Sequence, residues 1–115
     1  MLFSTLFSRR AEGPDPTTIE HSDLQRALGD GACVLVDVRE PQEFASGRIP
    51  GAVNIPLSRF DAGQLPSGKR IVLVCRSGVR SARALRQALA SGRDDACHYP
   101  GGIIAWRANG GNVVT

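Results

Sequence analysis

Two unbroken apolar runs stand out along the chain, Cys33-Val34-Leu35-Val36-Asp37-Val38 and Ile71-Val72-Leu73-Val74. Both are of strand length and rich in β-branched residues. Continuous apolar runs suit strands covered on both faces, as in a parallel sheet, whereas a sheet with one wet face alternates. Elsewhere the spacing is helical. Leu24 and Leu28 lie four apart and share one helix face. Ser22 and Gln25 have the spacing of a capping box, which predicts a helix through Leu28 ended by Gly29 and Gly31. Pro41 to Ala45 predicts a short helix, with Pro41 near its first position and Gly47 past its end. After the second run the chain turns at Ser77-Gly78 into a helix reaching about Ala90. Ala82, Leu85 and Leu89 form its apolar stripe, and Gly92 terminates it.

Three shorter stretches, Thr17-Thr18-Ile19, Ala52 to Ile55 and Cys97-His98-Tyr99, are candidate strands. Pro100-Gly101-Gly102 leads into a last helix holding Ile103, Ile104 and Trp106. Strands alternating with helices predict an α/β fold with a mainly parallel central sheet flanked by helices. The breaker cluster Gly13-Pro14-Asp15-Pro16 divides a tail, residues 1–16, from a folded domain, residues 17–115.

Composition narrows the function classes. A chain of 115 residues fits one domain with its own core. The net charge of +3 is mild and scattered, and aromatic residues make up only 5%, so neither an electrostatic footprint nor a stacking platform for nucleic acid is present. Cys33, Cys75 and Cys97 are odd in number and widely spaced, which fits neither a disulfide framework nor a zinc pattern. They point to a reducing compartment, and the expected localisation is cytoplasmic. His21 and His98 stand outside any metal-ligand spacing, so no metal and no cofactor is expected. Met1 to Ser8 is apolar but short, and Arg9-Arg10 follows it, whereas a secretory signal carries its charge in front. The tail is expected to be loose or to pack on the domain, and no stable membrane insertion is expected.

The chemistry concentrates in Cys75-Arg76-Ser77-Gly78-Val79-Arg80-Ser81, between the second strong strand and its helix. Ligands of open α/β sheets bind outside the carboxyl ends of the strands. A loop there gathers backbone N–H groups into an anion-binding nest, and the following helix adds its positive end. Gly78 permits the positive φ of a tight loop, and Arg76 and Arg80 add permanent charge. A free thiol, with a pKa of about 8.5, is only a few per cent ionised at neutral pH. A helix terminus contributes roughly 0.3–2 kcal/mol towards the thiolate, and amide hydrogen bonds add more. Cys75 is therefore expected to be a thiolate nucleophile. The bland alternative, a strand-end core cysteine beside a solvated arginine face, leaves the clustering of Arg, Gly and Ser unexplained.

This loop resembles the active-site loop of rhodaneses, which cysteine opens and arginine closes. Asp37-Val38-Arg39 is similar to the family's first signature, Gly47-Arg48-Ile49-Pro50-Gly51-Ala52-Val53-Asn54-Ile55-Pro56 to its second, and Gly101-Gly102-Ile103-Ile104-Ala105-Trp106 to its C-terminal one. The resemblance covers about residues 17 to 114. It departs at Arg48, where histidine is frequent, and at Gly111-Asn112-Val113, where a Gly-x-Pro-Val pattern is common.

The resemblance implies a three-layer rhodanese-like fold and a sulfurtransferase. Cys75 would take the outer sulfur of a small anionic donor such as thiosulfate and pass it to a thiol, cyanide or protein acceptor. Arg76 would recognise the donor's oxyanion. The amides from Arg76 to Ser81, including those of Ser77, Gly78 and Val79, would hold the sulfur anion. Arg80 would support the loop, with Asp37 as a candidate partner. Asp37 and Arg39 are read either as direct contacts to donor and loop or as a structural ion pair. His98 is given no role, because a thiolate held by amides needs no base. Trp106 is read as core, and Cys33 and Cys97 as small strand hydrophobes. Two other readings stay open: a dedicated persulfide carrier, and a cysteine phosphatase or arsenate reductase of related fold. The latter's loop carries one residue more between cysteine and arginine than the four here, Arg76 to Val79.

Overall fold

The structure is a computed structural model that describes residues 15–115, so the apolar stretch at Met1 to Ser8 and the Arg9-Arg10 pair lie outside the described residues. In chain order the elements are α1 (His21–Gly29), β1 (Cys33–Asp37), α2 (Pro41–Ser46), β2 (Val53–Asn54), two 3-10 turns (Leu57–Arg59 and Ala62–Gln64), β3 (Arg70–Val74), α3 (Val79–Ala90), β4 (Ala96–His98) and α4 (Gly102–Ala108). The sheet order is β2-β1-β3-β4, and every pairing is parallel. Thr17-Thr18-Ile19 contributes only a single parallel bridge, Thr18 to His98, beside β4. Arg48 and Val114 form an antiparallel bridge that ties the end of the chain to the exit of α2.

The apolar runs form the buried centre, as a doubly covered sheet requires. Strand alternation divides their side chains between two layers. Leu35, Val72, Val74 and Cys97 point to one side, where Leu24 of α1 and Ile103 and Trp106 of α4 cover them. Val36, Val38, Ile71, Leu73, Cys75 and Ala96 point to the other, against Ala84, Leu85 and Ala88 of α3. The result is a three-layer α/β/α arrangement with both faces of the sheet closed.

Several local expectations need correction. α1 starts one residue before Ser22, with Glu20 at its N-cap and no side-chain cap bond, so the Ser22–Gln25 box is not formed. The reciprocal capping box occurs instead at α2, between Glu40 and Glu43, just ahead of and inside a helix that Pro41 opens. On α3 the buried face is Ser81, Ala84, Leu85 and Ala88 rather than one centred on Ala82. Ile104 on α4 is 47% exposed, and Ile103 and Trp106 carry the packing. Among the described residues, no helix is long and apolar enough to cross a membrane.

Candidate active site

The position of Cys75 follows from parity. Ile71 and Leu73 face α3, so the next residue in that alternation, Cys75 at the exit of β3, also faces α3. The chain must then reverse within three residues to begin α3 at Val79. Gly78 makes that turn with φ +102°, and a side chain there would put a Cβ 2.1 Å from the Pro100 carbonyl oxygen. The turn wraps the sulfur: Cys75 Sγ accepts hydrogen bonds from the Gly78 amide at 3.1 Å and the Ser81 amide at 3.3 Å. As a thiol it donates to Ser81 Oγ at 3.6 Å. Cys75 is only 1% exposed. That burial pushes its pKa up, but the Ser81 amide and hydroxyl and the Gly78 and Ser77 amides outweigh it and leave the thiol below its ordinary value. Cys33 and Cys97 are also buried and free, yet burial raises both.

The far side of the loop is clamped by α4. The Ile103 amide donates to the Cys75 carbonyl at 3.0 Å and the Ile104 amide to the Arg76 carbonyl at 3.2 Å. Close approach requires Gly102, whose φ is +65° and whose Cβ would fall 2.2 Å from the Arg76 carbonyl oxygen. Arg76, Ser77 and Val79 form the exposed rim above the sulfur.

Arg80 turns away from the sulfur to Glu43 of α2, with bonds of 2.6 and 3.0 Å. Those bonds hold the Glu43 carboxyl down to about 2 and raise Arg80. Pairing of Arg80 with Asp37 is therefore not what the structure has. Asp37 follows Leu35 in the alternation and points to the α1/α4 side, opposite Cys75. There it receives Arg39 Nε at 3.0 Å and Nη2 at 2.8 Å, and the Arg39 amide at 2.9 Å. Arg39 also donates to the Gly47 carbonyl at 2.7 Å. The two are 0% and 6% exposed, and together they pin the turn after β1 to the end of α2.

Three residues enter the site without a sequence-based expectation of a role. Glu43 had a local signal, its capping-box spacing from Glu40. Asn54 lies in the segment similar to the family's second signature, with nothing to mark it individually; its amide donates to the carbonyls of Asp37 and Arg39, each at 2.9 Å, and fixes the exit of β1. His98 shares the α3-facing parity of Ala96, and its Nδ1 lies 2.8 Å from Ser81 Oγ. Burial lowers its pKa, partly offset by the Asp15 carboxylate. A cleft of about 310 Å³ opens beside β2, lined by Asn54, Ile55, Pro56, Arg59 and Gln64.

Comparison with known proteins identifies the family and the fold. A family model described as the rhodanese-like domain matches residues 20–109. An uncharacterized protein of Synechocystis is 43% identical over 95 residues, covering 81% of this chain and 53% of that protein. A sulfurtransferase of Allochromatium vinosum is 35% identical over 99 residues, covering 84% of this chain and 92% of that protein. A rhodanese-related protein of Thermoplasma volcanium, known from its crystal structure, superposes with a TM-score of 0.74 at 33% identity, covering 84% of this chain and 96% of that one. The chain spans only 26% to 53% of the length of several curated relatives it matches, the Synechocystis protein among them.

Proposed function

The chain belongs to the rhodanese-like domain family, and on that premise we propose that it moves sulfane sulfur from thiosulfate or a similar anionic donor to a thiophilic acceptor through a persulfide on Cys75. The observation that carries this reading is the sulfur cradle, in which Cys75 Sγ sits under the Gly78 and Ser81 amides. Amide donors fixed by the fold stabilise a sulfur anion without reorganising when charge arrives. In the first step the Cys75 thiolate attacks the donor's outer sulfur. A Cys75 S–S bond forms, the bond from that sulfur to the sulfonate breaks, and sulfite leaves with the electron pair. In the second step the acceptor attacks the outer sulfur of the persulfide, and Cys75 leaves again as thiolate. This is covalent, ping-pong catalysis, and as written it needs no metal or cofactor.

Arg76, exposed at the rim, recognises the donor's oxyanion. Arg80, held by Glu43, supports the helix that presents the Ser81 amide. Asp37 and Arg39 serve the framework as a buried pair and do not touch donor. The acceptor is a thiol, cyanide or a protein thiolate.

The test is intact mass of the full chain before and after thiosulfate, with cyanide as chaser. The expected result is a gain of one sulfur atom that maps to Cys75, disappears with cyanide, and is absent from folded Cys75→Ser. No gain on a folded protein with a free Cys75 thiol rejects the proposal.

A further inference from the structure

Ser81 has one hydroxyl proton and three neighbours that compete for it. These are His98 Nδ1 at 2.8 Å, the Gly78 carbonyl at 3.3 Å and Cys75 Sγ at 3.6 Å. The carbonyl can only accept. The sulfur and the imidazole nitrogen can each either donate or accept, depending on protonation. While Cys75 is a thiol, its S–H donates to Ser81 Oγ and the Ser81 O–H is free to donate to a bare Nδ1. When Cys75 becomes a thiolate it can only accept, and the Ser81 O–H turns to it. Oγ and Nδ1 then face each other at 2.8 Å as two acceptors unless Nδ1 carries a proton. One hydrogen-bonded row cannot satisfy both states of the sulfur with a single state of the imidazole.

We infer that Ser81 and His98 are the path by which Cys75 gives up its proton, and that His98 exchanges one ring tautomer for the other as the sulfur ionises. The S–H bond breaks and an O–H bond forms on Ser81 Oγ. The original Ser81 proton passes to Nδ1. The imidazolium then releases the proton of Nε2 to water and becomes the neutral Nδ1–H form. One proton leaves the protein for each thiolate formed, and every hydrogen bond in the row has reversed. Cys75 is 1% exposed and His98 9%, so the row runs from the more deeply buried group to the less deeply buried one. Burial disfavours the imidazolium, which makes it a state of passage and not of rest. Among the described residues, the charged groups bearing on the row are Asp15, which favours a proton on His98 from the segment paired alongside β4, and Arg80 of α3, which favours the Cys75 anion. His98 is a positioning residue in this scheme, since it acts on the sulfur only through Ser81.

The inference rests on Cys75 being the nucleophile, but its test does not use sulfur transfer. The full chain is labelled with ¹⁵N, and the His98 ring nitrogens are followed above the imidazole's own titration while pH rises through the ionisation of Cys75. Thiolate ultraviolet absorbance reports that ionisation independently. The expected result is an exchange of the two ring-nitrogen shifts, with Nδ1 gaining its proton at the thiolate midpoint. Folded Ser81→Ala and Cys75→Ser should each lose the exchange, and His98 should keep one tautomer throughout. A wild-type His98 whose tautomer is unchanged while the thiolate appears overturns the relay, as does an exchange that survives in Ser81→Ala. If sulfur loads on Cys75 but the tautomer is fixed, the relay falls and the transferase reading stands. If the exchange tracks the thiolate but no sulfur loads, the relay stands alone.

Discussion

Cys75, Cys33 and Cys97 are all buried, so depth does not separate them; what faces each sulfur does. Amide donors meet Cys75, while burial governs the other two. Above it, Arg76 is the exposed cation of the rim and has no protein partner among the described contacts, which leaves its guanidinium for an incoming anion. A charge-assisted hydrogen bond contributes about 1.5–3 kcal/mol, or roughly a tenfold to hundredfold change in binding. Arg76→Ala is therefore expected to raise KM for thiosulfate about tenfold or more with little change in kcat, the pattern of lost uniform binding. Steady-state kinetics over a range of donor concentrations measures this, and an unchanged KM would remove Arg76 from donor recognition. Most of this site was legible at the level of single residues. Cys75, its glycine and its serines lie in one short segment whose chemistry is local. The partners of Arg80 and Asp37 were not legible, because parity decides them. A run that is apolar on both faces hides which side chains share a face, and Asp37 turns out to oppose Cys75.

Among the elements, the contact of α4 with the Cys75 loop is the most exacting. Gly101-Gly102 could be recognised from its resemblance to a signature, but the reason for glycine is a backbone-to-backbone approach that no linear pattern displays. Adding a Cβ at Gly102 combines a left-handed conformation, costing roughly 1–2 kcal/mol in a non-glycine residue, with overlap that costs roughly 1–3 kcal/mol more. Gly102→Ala should lower unfolding free energy by about 2–5 kcal/mol and depress reactivity at Cys75 in the fraction that remains folded. Gly29→Ala is the comparison. It has open space around its Cβ position and no positive φ, so its effect should be neutral or stabilising by up to about 1 kcal/mol. Denaturant titration of the two variants checks the contrast; equal stabilities would mean that the clamp yields. Helix starts were less legible than strands. The box spacing occurs at both Ser22 and Glu40, and it forms only where Pro41 sets the entry of the chain.

For the molecule as a whole, the Arg80–Glu43 pair is the charged link between α2 and α3. Its carboxyl lies well below the usual value when folded. A carboxyl depressed on folding contributes stability that is fully present above its unfolded pKa and is lost as pH falls through the folded one. For Glu43 that window runs from 4.5 down to about 2. The pair is half open to solvent, with each side chain 32% exposed, so its contribution is modest, about 1 kcal/mol or less. Glu43→Gln should unfold at slightly lower denaturant than wild type at neutral pH, and the two curves should converge towards pH 2. Parallel displacement of the curves at every pH would show that Glu43 acts through packing alone.

The order of the strands also bears on how the protein is made. Thr18 pairs with His98, and the amides that grip the carbonyls of Cys75 and Arg76 belong to Ile103 and Ile104. During synthesis Cys75 leaves the ribosome ahead of His98, Ile103 and Ile104, which follow it in the chain. Until they arrive, that cysteine is an ordinary thiol in an unfinished chain, slow to react with disulfides or electrophiles. Reactivity is thus conferred by folding: the Gly78 and Ser81 amides lie close to Cys75 in sequence, but the loop that aims them at the sulfur is clamped only when Ile103 and Ile104 dock on its carbonyls.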